Sequence, residues 1–504
     1  MHKFLFLFLS LFITQSLYAF DCKDPRLEGL AVQDRGRVKP YLVMAEESVK
    51  LITGKGKYLE MKAPEVFCLW TKASLGIAPE FETLVRVDHI DVKKFLGMDE
   101  AQTGMEFSQL QEHKEELRTE IGSLQKSTSY KKELEKVLTR LMTLESIQAG
   151  EVWTTPKLIE GEVVWHRFQD LFKTEEGTLD GLFANEEAYR QVAGTAHDVE
   201  LTFAKAHLFS YAMLISLIAI MAVVLRRELT LGRWITIISL LVQAIGMTMR
   251  IYISGRAPIT NMYETVMFSG FGALLIAVII TYFKREKLFL IGGLAYNILC
   301  LFMMMFANNM LDSTINPLVP VLRDNFWLST HVTTIILSYA ALALSWMIAN
   351  IVLFKVRFKT ISMKDYRYYE SLVYTCIKVG VVTLAAGIIL GGVWADYSWG
   401  RFWGWDPKET WSLIVLLFYM AVLHGKSTNW INTHRFIILA AAGFMTVMMA
   451  WFGVNYILAT GLHSYGFSEG GAFFLGVFFL AQIVFLFITG IKPRVQNIRK
   501  QAGA

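Results

Sequence analysis

The chain is poor in cysteine and in charge, and both shortages narrow the kinds of protein it can be. Its 504 residues include only four cysteines, and none stands in a C-x-x-C or C-x-x-C-H arrangement. That excludes a thiol oxidoreductase and a covalent haem carrier. Charged residues make up only 18% of the chain against 54% hydrophobic residues, and the mean hydropathy is +0.40. This balance is unlike that of a soluble globular protein and predicts an integral membrane protein.

The sequence also has no basic patch of the kind that binds nucleic acid. The net charge of +5 is small, and most basic residues fall in short loops after hydrophobic runs. Such loops set the orientation of a protein in the bilayer rather than its affinity for DNA or RNA. We therefore expect a lipid bilayer, and no nucleic acid, among its partners.

The first 200 residues divide into a leader and a polar domain. Residues 1–20 carry an apolar run from Phe4 to Ile13 and predict a signal peptide or a retained anchor. Residues 21–200 predict an exported, periplasmic domain, α/β or helical, with a helical hairpin interrupted near 127–129. Cys22 and Cys68 both lie in it, and either a disulfide or two separate thiols fits the sequence.

Hydrophobic runs near the roughly 20 residues needed to cross a bilayer fill the rest of the chain. The predicted fold is mainly α: a polytopic membrane helical bundle of about nine spans, covering 201–491, with a cytoplasmic tail at 492–504. The runs are 207–225, 234–253, 264–283, 288–306, 331–354, 371–390, 410–424, 436–457 and 472–490. Alternate loops and the tail are rich in Lys and Arg, so the positive-inside rule predicts that the first run enters from the exported side.

One outer segment is crowded with tryptophan. Residues 394–411 hold five of the chain's 13 tryptophans, namely Trp394, Trp399, Trp403, Trp405 and Trp411. An aromatic belt at the membrane interface is the structural alternative, but a belt places one or two rings at each helix end. We interpret the segment as an aromatic shelf in an outer loop that also carries Asp406.

Histidines beside membrane spans predict functional sites, because an ionisable group in hydrocarbon is costly unless it is bound. His331 and His463 lie at the predicted outer face, near the tryptophan-rich segment. His424 lies 13 residues beyond Trp411, or about 20 Å deeper at 1.5 Å per residue. His207 and His434 lack a surrounding motif, and we expect the first to be structural and the second to be solvated.

Two outer imidazoles beside an aromatic shelf suit an iron porphyrin, which takes axial nitrogen ligands and stacks on flat rings. We therefore predict a non-covalently held, b-type haem, with His331 and His463 as iron ligands. Trp394, Trp399, Trp403, Trp405, Asp406 and Trp411 would line its site. Arg401 and Lys408 are possible donors to the propionates, or alternatively pair with Asp406 and Glu409.

Four motifs of the sequence resemble segments of a known protein family. WGRFWGWDPKETWSL (399–413) is similar to the tryptophan-rich WWD haem-handling signature of cytochrome c assembly proteins. WLSTHVTTIILSYA around His331, FGVNYILATGLHSYGF around His463 and PITNMYE from Pro258 to Glu264 are similar to segments of the same family. Residues 207–490 as a whole resemble its CcsA/ResC type, of the System II pathway.

The resemblance implies a function and a set of partners. It matches His331 and His463 to the family's outer haem ligands and His424 to its membrane-embedded ligand. It implies a membrane subunit of a holocytochrome c synthase, or haem lyase, in the bacterial inner membrane with its haem-handling face on the periplasmic side. Its partners would be a ResB/CcsB-type subunit, needed for activity, and an apocytochrome c with C-x-x-C-H thiols. The alternatives are a b-type membrane cytochrome for electron transfer and a haem transporter without ligation activity.

Overall fold

The computed structural model describes residues 21–34, 36–74, 82–125, 128–172, 178–307, 310–317, 324–458, 471–491 and 493–496. The chain divides into two compact units between Ala206 and His207, close to the predicted boundary after residue 200. The predicted leader at 1–20 and most of the predicted tail at 492–504 lie outside the described residues.

The first unit combines short antiparallel hairpins with helices. Its strands pair as β1 with β2, β3 with β4, β5 with β6 and β7 with β8. The strands are β1 Ala31–Asp34, β2 Arg37–Pro40, β3 Lys57–Tyr58, β4 Met61–Lys62, β5 Leu84–Arg86, β6 Gly104–Glu106, β7 Thr154–Ile159 and β8 Glu162–Arg167. A 3-10 turn covers Pro25–Gly29, and the helices are α1 Tyr41–Thr53, α2 Ala63–Ser74, α3 Ile90–Phe95, α4 Phe107–Glu112, α5 Lys114–Ser123, α6 Ser129–Gln148, α7 Phe168–Phe172, α8 Leu179–Ala193 and α9 Ala196–Ala206.

The predicted helical hairpin is present in this unit as α4–α5 followed by α6. Leu110, Leu117, Leu134 and Leu141 are fully buried. Leu134 and Leu141 are seven residues apart on α6 and therefore lie on one face of that helix. Thr128 ends the interruption by capping α6, its side chain accepting a hydrogen bond from the Lys131 amide. Cys22 and Cys68 form a disulfide, which resolves the alternative that the sequence left open.

The second unit is almost entirely helical. Its helices are α10 Leu208–Val224, α11 Leu229–Ser254, α12 Met262–Lys284, α13 Lys287–Phe306, α14 Asn325–Trp327, α15 Thr333–Phe358, α16 Met363–Trp399, α17 Pro407–Ser427, α18 Thr433–Met448 and α19 Gly471–Thr489. Two π-helical segments, Leu328–Val332 and Met449–Leu458, join α14 to α15 and extend α18. A short parallel pair, β9 Ile361–Ser362 with β10 Val495–Gln496, is also present.

Eight helices among the described residues are long and apolar enough to cross a membrane, and up to nine if α9 and α10 count as one span. The prediction of a polytopic helical membrane protein is confirmed. The spans differ in how much of their apolar 18-residue stretch is buried. The buried share of this stretch is 17% in α19 and 67% in the span 325–358. The apolar part of the helix that follows His331 therefore packs inside the bundle.

Helix α16 corrects the prediction for the tryptophan-rich segment. The predicted span ended at residue 390, yet α16 continues for 37 residues to Trp399. It ends where Gly400 adopts φ +66°, a left-handed conformation that glycine takes without strain. Trp394 and Trp399 are therefore on a helix, and the loop of this segment is limited to the residues from Gly400 to Asp406.

Glycines on α16 allow α15 to approach closely. A Cβ atom built on Gly380 would lie 2.6 Å from Leu342, and one on Gly387 would lie 2.7 Å from Ile335. Small residues serve this purpose in membrane helix pairs, where backbones pack against each other without side chains between them. This contact brings the first half of α15 against the C-terminal half of α16.

The prediction that His434 is solvated is wrong. Its Nε2–H donates to the carbonyl of Gly490 at 3.0 Å, and its Nδ1 accepts a hydrogen bond from the Tyr366 hydroxyl at 2.7 Å. The ring is half-buried. His434 therefore ties the start of α18 to the start of α16 and the end of α19, which is a structural role.

Candidate functional site

A cavity opens among the helix ends that carry the predicted outer motifs. Its volume is about 1120 Å³, counted with the open space at its mouth. Its walls come from residues 259–265, the segment around His331, the C-terminal half of α16, the loop at 402–403, the start of α17 and the second π-helical segment. Segments far apart in sequence thus converge on one site.

His331 lies in the cavity wall, and its tautomer is defined. Its Nδ1 is 2.9 Å from the carbonyl oxygen of Gly387, and because a carbonyl only accepts, Nδ1 carries the proton. In the neutral ring the lone pair is then on Nε2. Histidines that bind metals commonly donate their other ring N–H to a carbonyl in this way.

A glycine makes the position of His331 possible. A Cβ atom built on Gly391 would lie 2.5 Å from Cε1 and 3.0 Å from Nδ1 of His331. The neighbouring Gly392 gives the same freedom to the ring of Phe402, which a Cβ there would meet at 2.5 Å. His331 is also the fourth residue of the π-helical segment Leu328–Val332, and such segments are frequent at functional sites.

The five predicted tryptophans do not form one shelf. Trp394 is 3% exposed, and its ring centroid lies 5.9 Å from that of His331. Among the described residues, the cavity lining includes Trp394 and Trp403 but not Trp399, Trp405 or Trp411. Trp399 packs behind Trp394 at 6.3 Å, whereas Trp405 is 70% exposed.

Asp406 and Glu409 form a capping box at the start of α17. The Asp406 carboxylate accepts from the Lys408 amide at 2.9 Å, and Glu409 accepts from the amides of Gly404 and Asp406 at 2.8 and 3.1 Å. Arg401 pairs with Glu409 at 3.6 Å. The two carboxylates therefore satisfy backbone donors and position the loop.

Asn455 is a site residue that the sequence analysis missed. It is 4% exposed and lines the cavity, where its Oδ1 lies 3.3 Å from Lys408 Nζ. Its Nδ2 donates to the carbonyl of Trp451 at 2.8 Å. A signal was available, because an amide inside the apolar run 436–457 is costly in hydrocarbon without a partner.

The PITNMYE segment builds another wall. Asn261 caps α12 through the Glu264 amide, and the Glu264 carboxylate accepts from both the amide and the hydroxyl of Thr260 at 2.7 Å. Arg250 Nε donates to Glu264 at 2.8 Å, and both side chains are at most 2% exposed. This buried ion pair, which the sequence analysis did not identify, holds the wall residues of the segment in place.

His424 lies apart from the cavity. Its Nδ1 donates weakly to the Met420 carbonyl at 3.3 Å, and the ring is exposed. Because α17 begins at Pro407 rather than near Trp411, His424 is about 25 Å along the helix instead of about 20 Å. His463 lies outside the described residues, so its predicted place opposite His331 stays a prediction.

The described walls suit a haem group. They offer an imidazole with its lone pair on Nε2, three indoles (Trp394, Trp403 and Trp451) and otherwise mostly apolar side chains. The Trp394 indole Nε1 is also buried without a hydrogen-bond partner among the described residues. A ligand acceptor would satisfy that donor.

The fold and the cavity define a multi-pass helical membrane protein with an aromatic-lined cavity among its helix ends. The family model described as cytochrome C assembly protein matches residues 259–463. The chain is 37% identical over 239 residues to the cytochrome c biogenesis protein CcsA of Guillardia theta, covering 42% of this chain and 78% of that one. It is 33% identical over 292 residues to CcsA of Prochlorococcus marinus, covering 52% and 93%.

A longer relative also matches. Protein NrfI of Wolinella succinogenes is 36% identical over 228 residues, covering 44% of this chain and 24% of NrfI. The chain belongs to the cytochrome c assembly protein family and is of the CcsA type. This membership gives it a role in cytochrome c assembly at a membrane.

Proposed function

We propose that this protein holds haem in the outer cavity while the haem is attached to an apocytochrome c. His331 would bind the iron through Nε2, and His463 would supply the second axial nitrogen. The observation that carries the proposal is the Nδ1–H to Gly387 hydrogen bond, which leaves the Nε2 lone pair in the wall of an aromatic cavity.

The chain would act mainly by orientation. Haem held between His331 and His463 and packed on Trp394 and Trp403 would present its vinyl groups to the two thiols of a C-x-x-C-H peptide. Each thiol adds across one vinyl double bond: a C–S bond forms, and the thiol proton passes to the neighbouring vinyl carbon. No oxidant is consumed, so the site needs to supply proximity and a defined haem position.

A partner subunit would complete a second, deeper site at His424. The ring is exposed at the inner part of α17, on the side that also carries exposed Ile414, Leu417 and Met420. These positions recur at helical spacing and form an apolar stripe ending in an imidazole. We propose that a ResB/CcsB-type membrane helix with its own histidine packs there, with the protein in a bacterial inner membrane and the cavity on the periplasmic side.

The proposal is tested by replacing the outer ligand. His331→Gly, co-expressed with an apocytochrome and the partner subunit, should yield no covalent haem on the cytochrome after denaturing electrophoresis. Added imidazole should restore part of it, because a free imidazole can enter the space left by the side chain. Ser329→Gly, in the same π-helical segment, is the matched control and should retain attachment.

Two outcomes would contradict the proposal. Full attachment by His331→Gly would remove the ligand assignment. Haem that is bound and reversibly reduced by the wild-type protein, but never transferred to the apocytochrome, would favour a b-type membrane cytochrome instead.

A further inference from the structure

We propose that Lys408 and Asn455 form a carboxylate-binding subsite in the cavity and that it holds the propionates of the haem. The edge of the porphyrin that carries the vinyl groups would then face away from Lys408. This inference rests on the proposed function, because it assigns one edge of the same substrate to one wall of the same cavity.

The charges of the cavity favour an anionic group at this wall. Lys408 and Glu409 are the charged side chains, apart from histidine, among the described residues that line it. The Glu409 carboxylate is engaged by two backbone amides and by Arg401. Lys408 therefore supplies the positively charged group among these described lining residues.

Asn455 holds the lysine in position. Its Nδ2 donates to the Trp451 carbonyl and to the Met262 sulfur, at 2.8 and 2.9 Å, so its Oδ1 is directed to Lys408 Nζ at 3.3 Å. An ammonium carries three donors, and one of them can serve Asn455 while another serves a carboxylate. Charge-assisted hydrogen bonds of this kind are stronger than neutral ones.

Trp394 offers a second donor in the same cavity. Its indole Nε1 is buried and makes no hydrogen bond to any residue that the structure describes. Buried donors are normally satisfied, and a propionate oxygen would satisfy this one. The other propionate donor suggested by the sequence, Arg401, pairs with Glu409 and is absent from the described lining.

The subsite would determine the in-plane orientation of the haem ring in the cavity. In protoporphyrin the two propionates lie on neighbouring pyrroles, and the two vinyl groups lie on the opposite edge. Holding the carboxylates at one wall therefore selects one in-plane orientation of the ring. Lys408 would act as a specificity residue that decides which edge meets the incoming thiols.

The experiment compares haem with its dimethyl ester, in which both propionates are uncharged and the vinyl groups are intact. Each is titrated into the purified full-length protein in detergent, and binding is followed by the Soret band. The variants are Lys408→Met and Lys408→Arg. The matched control is Lys378→Met, which removes a lysine outside the described cavity lining. Lys378 is exposed and lies over the Tyr374 ring at 4.9 Å.

We expect wild type and Lys378→Met to bind haem at least about tenfold more tightly than the ester, a difference of about 1.4 kcal/mol. Lys408→Met should lose that preference by weakening haem binding alone, and Lys408→Arg should keep part of it. An unchanged preference in Lys408→Met would overturn the subsite. A second result would also overturn it: Lys408→Met binds haem normally but binds a C-x-x-C-H peptide with a free C-terminal carboxylate more weakly, while its affinity for the C-terminally amidated peptide is unchanged. Lys408 would then bind the peptide carboxylate rather than a propionate.

Failure of the proposed function would look different. If neither porphyrin gave a histidine-ligated spectrum, or if His331→Gly left that spectrum unchanged, the haem site itself would be wrong. A normal His331-dependent spectrum together with an unchanged ester preference would remove only the role of Lys408.

Discussion

His331 and His424 have the same tautomer but opposite surroundings. In both, Nδ1–H donates to a backbone carbonyl, to Gly387 at 2.9 Å and to Met420 at 3.3 Å. His331 is half-buried in the wall of a cavity, whereas His424 is exposed on the surface of a span. This difference leads us to propose that His331 belongs to a site built by this chain, whereas a site at His424 would need a second chain to complete it.

The largest expected effect concerns how haem binding at each of the two histidines depends on the partner subunit. His424→Gly should not change the haem content of the chain purified alone, but it should abolish the second haem population that appears when the partner is co-expressed. The reason is that the exposed ring provides only one of the two axial nitrogens. Haem content and low-spin absorbance of the two preparations measure this.

His331→Gly is the matched variant for that experiment, since it should lower the haem content in both preparations. A chain purified without its partner that still holds a stable, His424-dependent, bis-histidine haem would show that the comparison between the two histidines is mistaken.

The next effect distinguishes tryptophans inside the cavity from those outside it. Trp394→Ala removes a side chain that is 3% exposed and should cost about 3–5 kcal/mol of stability, with loss of haem binding. Trp405→Ala removes one that is 70% exposed and should change stability by no more than about 0.5 kcal/mol. Thermal unfolding in detergent and Soret titration measure both.

Equal losses of haem binding in the two tryptophan variants would restore the interpretation of a single five-ring shelf. The structure predicts instead that the loop tryptophan is dispensable for holding the ligand.

The smallest effect concerns the backbone behind His331. Gly391→Ala should displace the imidazole, because the new methyl group would lie 2.5 Å from Cε1. Overpacking of this kind costs about 1–3 kcal/mol, which corresponds to about a five- to 150-fold loss of haem affinity. Gly476→Ala, in α19, where a Cβ meets nothing within 4 Å, is the control. Identical Soret titrations for the two variants would mean that the ring position is not set by Gly391.

Hydropathy was sufficient to predict the spans, because a run of about 20 apolar residues has few alternatives to a membrane helix. The motifs around His331 and Trp394 were sufficient to direct attention to the outer site. The end of α16 was mispredicted since Trp, Ala and Tyr continue a helix as readily as they form a loop. Gly400, the C-cap, was the available signal.

The walls of the cavity could not be predicted in the same way. Asn455 contacts Lys408 across 47 residues, and Trp451 donates to Thr265 across 186 residues. Such pairings depend on how the helices pack, and periodicity within one helix carries no information about its neighbours. The burial of the Arg250–Glu264 pair likewise depends on three segments that meet only in the folded bundle.

The disulfide between Cys22 and Cys68 creates a demand on the compartment that receives the first unit. Folding that unit requires an oxidant to remove two electrons from its thiols, while the proposed reaction consumes thiols that must stay reduced. Cys68 is fully buried and Cys22 is half-buried, so a reductant that keeps the apocytochrome dithiol open would reach the bond only from the Cys22 side. This partial shielding would slow reduction of the disulfide in an environment where the apocytochrome thiols stay reduced.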